Sequence, residues 1–214
     1  GTTDRYMTSF EVSELLTIEH LTRIKVRGVK QKIMLADMQS SEKVRIQYAL
    51  KYSRSSNYWK YSIGQTQGLN NLSIVYRKQE LEKQFVNWMN ENPERQKKYA
   101  NSLKLIEDGI QGRKDAELSR QFVFEAMYQG MESTNFAYKF LKLYSILNED
   151  QGKADSLARF VLKMKDDISN FYNDYNLPTD KKLCKAMLQL MKDNIPAEYQ
   201  PDIFQLINEK YKGS

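Results

Sequence analysis

The sequence predicts an all-α fold, an irregular antiparallel helical bundle of about nine or ten helices. Three observations carry that expectation. Apolar residues recur at helical spacing almost throughout, and no stretch shows the strict alternation of a half-buried strand. Only 4 Pro and 9 Gly occur in 214 residues, too few for a turn-rich β-sandwich or a low-complexity chain. Capping signals recur at the starts of the periodic stretches. With 41% hydrophobic and 28% charged residues, the chain is polar yet able to bury a core.

Thr8-Ser9-Phe10-Glu11 has the form of a capping box and starts a short helix through about Ile18. A second helix is expected from His20 to Met38. Ser40-Ser41 supplies cap-type residues for a third, from Glu42 to Gly64, and the stretch from Gly64 to Gly68 reads as a loop. The next helix carries Leu81, Phe85, Trp88 and Met89 on one face. Asn92-Pro93-Glu94 is a strong helix start: a side-chain cap, a proline where no N–H is needed, and an acid near the positive end. Its stripe is Tyr99, Leu103, Ile106 and Ile110, and Gly112 is placed to end it. Further helices are expected over 118–131, 136–147 and 154–175. After Leu177-Pro178-Thr179 come 181–192 and, beyond Pro196, 198–211. The connections are short, so neighbours pack antiparallel in one helical domain over residues 1–214.

The inventory of reactive side chains excludes several functions. The single Cys184 leaves no internal disulfide and no multi-cysteine metal site, and the single His20 leaves no histidine cluster. His20 stands at an expected helix junction, suited to capping or solvent contact. Cys184 shares an apolar face with Met187, Leu188 and Met191, which fits a buried, inert thiol. No phosphate-binding glycine loop, nucleophile elbow or Glu-x-x-His pair occurs. Asp166-Asp167 reads as surface charge, and the methionines at 164, 187 and 191 read as core filling. No catalytic residue, metal or other cofactor is expected in this chain, nor a membrane span. Gly1 and the Gly213-Ser214 end read as those of an excised segment.

Charge is uneven. The net charge is +6, and residues 20–60 hold 10 basic side chains against 2 acidic ones. Such a stretch either binds an anionic partner or forms a solvated face.

The third helix carries the most information. One stripe is Val44, Tyr48, Tyr52, Ser55, Trp59 and Ile63; a second, roughly opposite, is Ile46, Leu50, Ser53, Asn57 and Tyr61. A helix apolar on two faces is usually sandwiched between neighbours. The second stripe turns polar along its length, so Asn57 is expected at a polar pocket or cleft edge. Two roles are open to it: satisfying a nearby helix end, or recognising a ligand with an amide that both accepts and donates. A nucleic-acid reading uses the same segment. Tyr48, Tyr52 and Trp59 would stack on bases while Arg45, Lys51, Arg54 and Lys60 bind phosphate.

Gly1-Thr-Thr-Asp-Arg-Tyr-Met-Thr-Ser9, Val26-Arg-Gly-Val-Lys-Gln31, Arg45-Ile-Gln-Tyr-Ala49 and above all Lys51-Tyr-Ser-Arg-Ser-Ser-Asn-Tyr-Trp-Lys60 resemble the bacterial dipeptidyl-peptidase 7 and 11 family. Phe85-Val-Asn-Trp88 is a weaker further marker. The colinear likeness runs from residue 1 to about 112, and residues 113–214 carry no specific motif. The resemblance implies a serine exopeptidase that releases dipeptides from free N-termini. Its chymotrypsin-like catalytic domain has two β-barrels, with an all-α domain inserted between its halves.

This chain resembles that inserted domain alone, so the catalytic Ser, His and Asp would lie outside it and the piece would be inactive by itself. By motif, Asn57 falls on the residue that binds the substrate's amino end, with Tyr58 and Trp59 holding the helix in place. The implied partners are the peptide N-terminus, the catalytic domain of the same parent chain and a second copy of the full-length enzyme. Neither nucleic acid nor membrane is among them. The implied location is the periplasm or the cell surface. The alternative reading is a basic helical nucleic-acid-binding or scaffold module.

Overall fold

Thr8 opens the first helix through a reciprocal cap: its hydroxyl accepts the Glu11 N–H at 3.3 Å, and the Glu11 carboxylate accepts the Thr8 N–H at 2.8 Å. The computed structural model describes residues 6–148 and 153–212, and every regular element among them is helical. Helix α1 (Ser9–Glu14) passes through a π-helical turn, Leu15–His20, directly into α2 (Leu21–Ser40). The break expected near Ile18 is therefore a wide turn rather than an interruption. The turn absorbs an extra residue, and Ile18 and His20 are both buried in it.

Helix α3 (Glu42–Asn71) corrects a second expectation, because it runs through both Gly64 and Gly68. Each glycine costs a helix interior about 1 kcal/mol relative to alanine. Tertiary contacts offset that loss: Ser62 is fully buried beside Arg23, and Thr66 meets His20 at 3.1 Å. The chain turns only at Leu72 and Ser73, with Ser73 in the left-handed region at φ 50°.

Helices α4 (Ile74–Asn90), α5 (Pro93–Tyr99) and α6 (Ser102–Gly112) follow. Asn92 caps α5 as its sequence predicts, its Oδ1 accepting the Glu94 and Arg95 N–H groups. The single helix expected from Pro93 to Gly112 is broken after Tyr99, where the Ser102 hydroxyl donates to the Tyr99 carbonyl at 2.8 Å.

Helix α7 (Lys114–Phe122) ends in a second π-turn, Val123–Tyr128. Gly130 follows, and a Cβ there would lie 2.1 Å from the Ala126 carbonyl oxygen. Helices α8 (Glu132–Tyr138) and α9 (Leu141–Asn148) divide one expected helix, and α10 (Lys153–Asp174) matches another. Helix α11 (Leu177–Asn194) starts earlier than expected. Asn176 accepts the Thr179 N–H at 3.1 Å, and Pro178 falls in the first turn, where a missing N–H costs nothing. A 3-10 turn (Ala197–Tyr199) and α12 (Ile203–Tyr211) complete the described chain.

The core lies along α2. Val26 packs with Phe122, Ala126, Met131, Met187, Met191 and Ile195, joining α2 to α7 and α11. Two turns on, Met34 packs with Val44, Tyr48 and Leu183, joining α2 to α3 and α11. Met187 and Met191 are fully buried and Met164 nearly so, as their spacing predicts.

Buried carboxylates tie distant elements together. Glu82 of α4 accepts both the N–H and the hydroxyl of Ser9 at 2.6 Å, closing the start of α1. Asp180 of α11 accepts the Glu132 and Ser133 N–H groups at 2.8 and 3.1 Å, capping α8 from outside. Asp37 of α2 accepts the Thr179 hydroxyl at 2.7 Å and faces Lys182 at 2.6 Å.

The most demanding of these carboxylates is Glu125, in the second π-turn. Its side chain is fully buried, and its two oxygens take Arg23 Nε at 2.9 Å and Arg27 Nε at 2.8 Å. Arg23 also reaches Glu19 at 2.9 Å. A buried carboxylate persists only with its charge and lone pairs satisfied, and removing one partner leaves the others uncompensated. Replacing Glu125 with Ala should therefore lower stability by about 3–5 kcal/mol in equilibrium urea unfolding. A loss under about 1 kcal/mol, the size of an exposed pair, would contradict this account of the clamp.

Candidate functional site

Helix α3 is held at its start by Ser41, whose hydroxyl accepts the Val44 N–H at 3.4 Å. From there its first stripe faces inward. Val44, Tyr48 and Ser55 are buried, and Tyr52, Trp59 and Ile63 are half-buried. The Trp59 indole lies beside Gly28 and donates to the Ile24 carbonyl at 3.1 Å, pinning α3 to α2 in midcourse.

The second stripe does not behave as expected. Ile46, Leu50, Ser53, Asn57 and Tyr61 are all exposed, with Ile46 at 69%, Leu50 at 60% and Tyr61 at 55% of full accessibility. No described element covers this face, so α3 is packed on one side within this chain rather than sandwiched. Asn57 sits in mid-stripe, and its side chain makes no hydrogen bond among the described residues. It neither caps a helix end nor satisfies a loop. Tyr58 is 58% exposed, and the Arg27 guanidinium stacks over its ring at 5.0 Å.

The inward turn of the first stripe also bears on nucleic-acid binding. Tyr48 is fully buried, and Trp59 is half-buried with its N–H committed to Ile24. Two of the three rings that would stack on bases thus serve the packing of α3, which leaves the stacking platform unbuilt.

A third face of α3 gathers residues to which the sequence gives separate roles. Lys51, Arg54, Ser55 and Tyr58, at spacing three and four, line a cleft of about 490 Å³ with α2, α8 and α10. Lys51 bridges to Glu132 at 2.5 Å and to the Asp174 carbonyl at 2.5 Å. Lys30 of α2 reaches the Gln129 carbonyl at 2.5 Å. Burial, with Arg27 nearby, pushes the Lys30 ammonium down to about 8. Burial, reinforced by the Glu132 carboxylate, raises the Tyr48 hydroxyl far above its ordinary value. The recurrence of basic residues at 51 and 54 with a serine at 55 was the available signal. In the sequence the two cations belong to the nucleic-acid alternative and Ser55 to the inward stripe, and nothing joins them in a common site.

The remaining singled-out residues are structural. His20 is buried instead of sitting at a solvated junction, with Nδ1 at 3.1 Å from the Thr66 hydroxyl. Cys184 is half-buried against the core, and burial raises its thiol above the usual value. Asp167 pairs with Lys139 at 3.4 Å. Among the described residues no cluster of three metal-ligating side chains forms, and no helix is long and apolar enough to cross a membrane.

With the inward and outward faces of α3 established, comparison with known proteins places the chain. The Peptidase S46 family profile matches residues 1–214, the whole length. The chain belongs to the peptidase S46 family. It is 36% identical to dipeptidyl-peptidase 7 of Porphyromonas gingivalis over 214 residues, covering all of this chain and 28% of that protein. To dipeptidyl-peptidase 7 of Porphyromonas endodontalis it is also 36% identical, over all of this chain and 25% of that protein. The chain thus spans little more than a quarter of these relatives. Among solved structures, DPP11 of Porphyromonas endodontalis superposes with a TM-score of 0.74 at 25% identity, covering 99% of this chain and 30% of that one. The same protein in complex with the dipeptide Arg-Glu gives 0.69 at 26% identity, covering 94% and 28%.

The burial of His20 has a pH signature. Burial is the largest influence and lowers its pKa below the ordinary 6.5; Glu19 opposes this and Arg23 adds to it. The folded state therefore prefers the neutral ring, while the unfolded chain takes up a proton near 6.5. Stability from this group is complete above that value and is lost as the pH falls below it. Urea midpoints measured between about pH 5 and pH 8 should decline on the acid side. His20→Gln, which keeps a polar contact for Thr66 without titrating, should flatten that part of the curve.

Proposed function

We propose that this chain is the helical cap domain of a serine-type dipeptidyl-peptidase, and that Asn57 grips the free amino end of the peptide substrate. One observation carries the reading. An asparagine whose side chain has no hydrogen-bond partner among the described residues stands in the middle of an exposed apolar face, inside the segment of strongest family resemblance. Support comes from the family membership and from the dipeptide complexes of the homologous DPP11.

The chemistry suits the task. An enzyme that releases dipeptides must hold the substrate two residues before the scissile bond. An α-ammonium offers three donors at that point, and the Asn57 carbonyl oxygen accepts one without adding a charge. Fixing that end restricts the peptide to one register against the catalytic groups. The exposed Ile46, Leu50 and Tyr61 would then be covered by the parent's catalytic domain, which the resemblance implies is chymotrypsin-like and which would carry the Ser, His and Asp. The piece by itself would be inactive. A periplasmic or cell-surface location and a homodimeric parent belong to the same reading and rest on the resemblance alone.

The test is Asn57→Ala in the full-length parent enzyme. A hydrogen bond to a charged group is worth about 1.5–3 kcal/mol, so kcat/KM for dipeptidyl substrates with a free amino end should fall about 10- to 100-fold. The fold should be unaffected, because the side chain is exposed. An unchanged kcat/KM would refute the role of Asn57.

A further inference from the structure

One step around α3 from Asn57, the helix turns Lys51, Arg54 and Ser55 into the cleft it shares with α2, α8 and α10. The Arg27–Tyr58 contact at 5.0 Å sets the antiparallel register of α2 against α3. One turn along from that contact, Lys30 comes level with Ser55 and Arg54.

The charges at this level are out of balance. Glu132 is engaged by Lys51, Asp167 by Lys139, and Arg27 by Glu125. Asp174 is exposed at the end of α10, where its backbone carbonyl takes Lys51, one turn of α3 away from Arg54. Lys30 has only a backbone carbonyl, and Arg54 has no partner among the described residues. Lys30 and Arg54 thus line one cleft without an ion pair of their own among the described residues, although Glu132, whose second carboxylate oxygen is buried without a partner, and Asp174 line it too.

A second, independent feature stands at the same level. Ser55 is only 4% exposed, and its Oγ on the cleft wall has no hydrogen-bond partner. A buried hydroxyl without a partner is costly, and this one lines the same cleft as Lys30 and Arg54. The half-buried Lys30 ammonium has its pKa pushed down to about 8 by burial and then by Arg27, against the opposing pull of Glu132, Asp180 and Glu125, none of which pairs with it directly.

We infer that this cleft binds a small oxyanion, a carboxylate or a phosphate, held between Arg54 and Lys30 with the Ser55 hydroxyl donating a third hydrogen bond. The planar guanidinium offers a forked pair of donors that matches either anion. The ammonium supplies a point charge, and the hydroxyl fixes the orientation. This site is separate from the amino-end contact of Asn57, which does not line the cleft.

Isothermal titration calorimetry of the full-length protein, at fixed ionic strength, tests the site. One arm uses inorganic phosphate and the other uses glutarate. Saturable binding is expected in at least one arm, and the stronger arm identifies which oxyanion the cleft prefers. Arg54→Gln and Lys30→Gln should each weaken it about tenfold or more, and Ser55→Ala by less. Asn57→Ala should leave it unchanged, which keeps this site distinguishable from the amino-end contact. Absence of saturable heat in both arms overturns the inference, as does binding that Arg54→Gln leaves intact. Arg54 is exposed and without partners among the described residues, so that variant decides the matter even if Lys30→Gln fails to fold.

Discussion

The ion cluster at Glu125 is the constraint from which the placement of the other elements follows. A carboxylate with no exposed surface is tolerable only if its charge is matched at close range, and here two arginines one turn apart on α2 do so. The π-turn that carries Glu125 joins α7 to α2 at a fixed height and rotation. Arg27, fixed by that pairing, lies over Tyr58, and the neighbouring Ile24 carbonyl receives Trp59. The orientation of α3 is thus set from the far side of α2. The outward direction of Asn57 is a consequence of this arrangement and needs no contact of its own.

The outer face of α3 is the counterpart of this inner order. Ile46, Leu50 and Tyr61 remain largely accessible although they flank the segment that carries Asn57. An exposed apolar stripe of this kind usually marks an interaction surface. The chain covers only 25% to 28% of its dipeptidyl-peptidase 7 relatives, and the cover proposed above for this face lies in the remainder of the parent. The core along α2 is by contrast complete within this chain, with Val26, Met34, Leu183, Met187 and Met191 fully buried.

Much of the fold was legible where local chemistry decides. The Thr8–Glu11 box, the Asn92 cap and the inward stripe of α3 each depend on residues within a few positions of one another, and each formed as its spacing predicts. Features that depend on distant partners were not legible. The run through Gly64 and Gly68 requires His20 and Arg23 from another helix to meet Thr66 and Ser62. Glu125, surrounded in sequence by Phe124, Ala126 and Met127, gives no sign of its two arginines about a hundred positions away. At the candidate site, the motif singled out Asn57 by resemblance. The expectation of a sandwiched helix failed because periodicity reports which faces are apolar, not whether this chain supplies their cover. The cleft face, lined by Lys51, Arg54 and Ser55, was not legible as one site because its other walls come from α2, α8 and α10, elsewhere in the chain.

The most direct measurement is a crystal structure of the full-length parent with a dipeptide bound. The predicted result has the peptide's α-ammonium within hydrogen-bond distance of Asn57 Oδ1, with Ile46, Leu50 and Tyr61 covered by the remainder of the same polypeptide. A bound dipeptide remote from Asn57, with the outer face of α3 still open to solvent, would contradict the account.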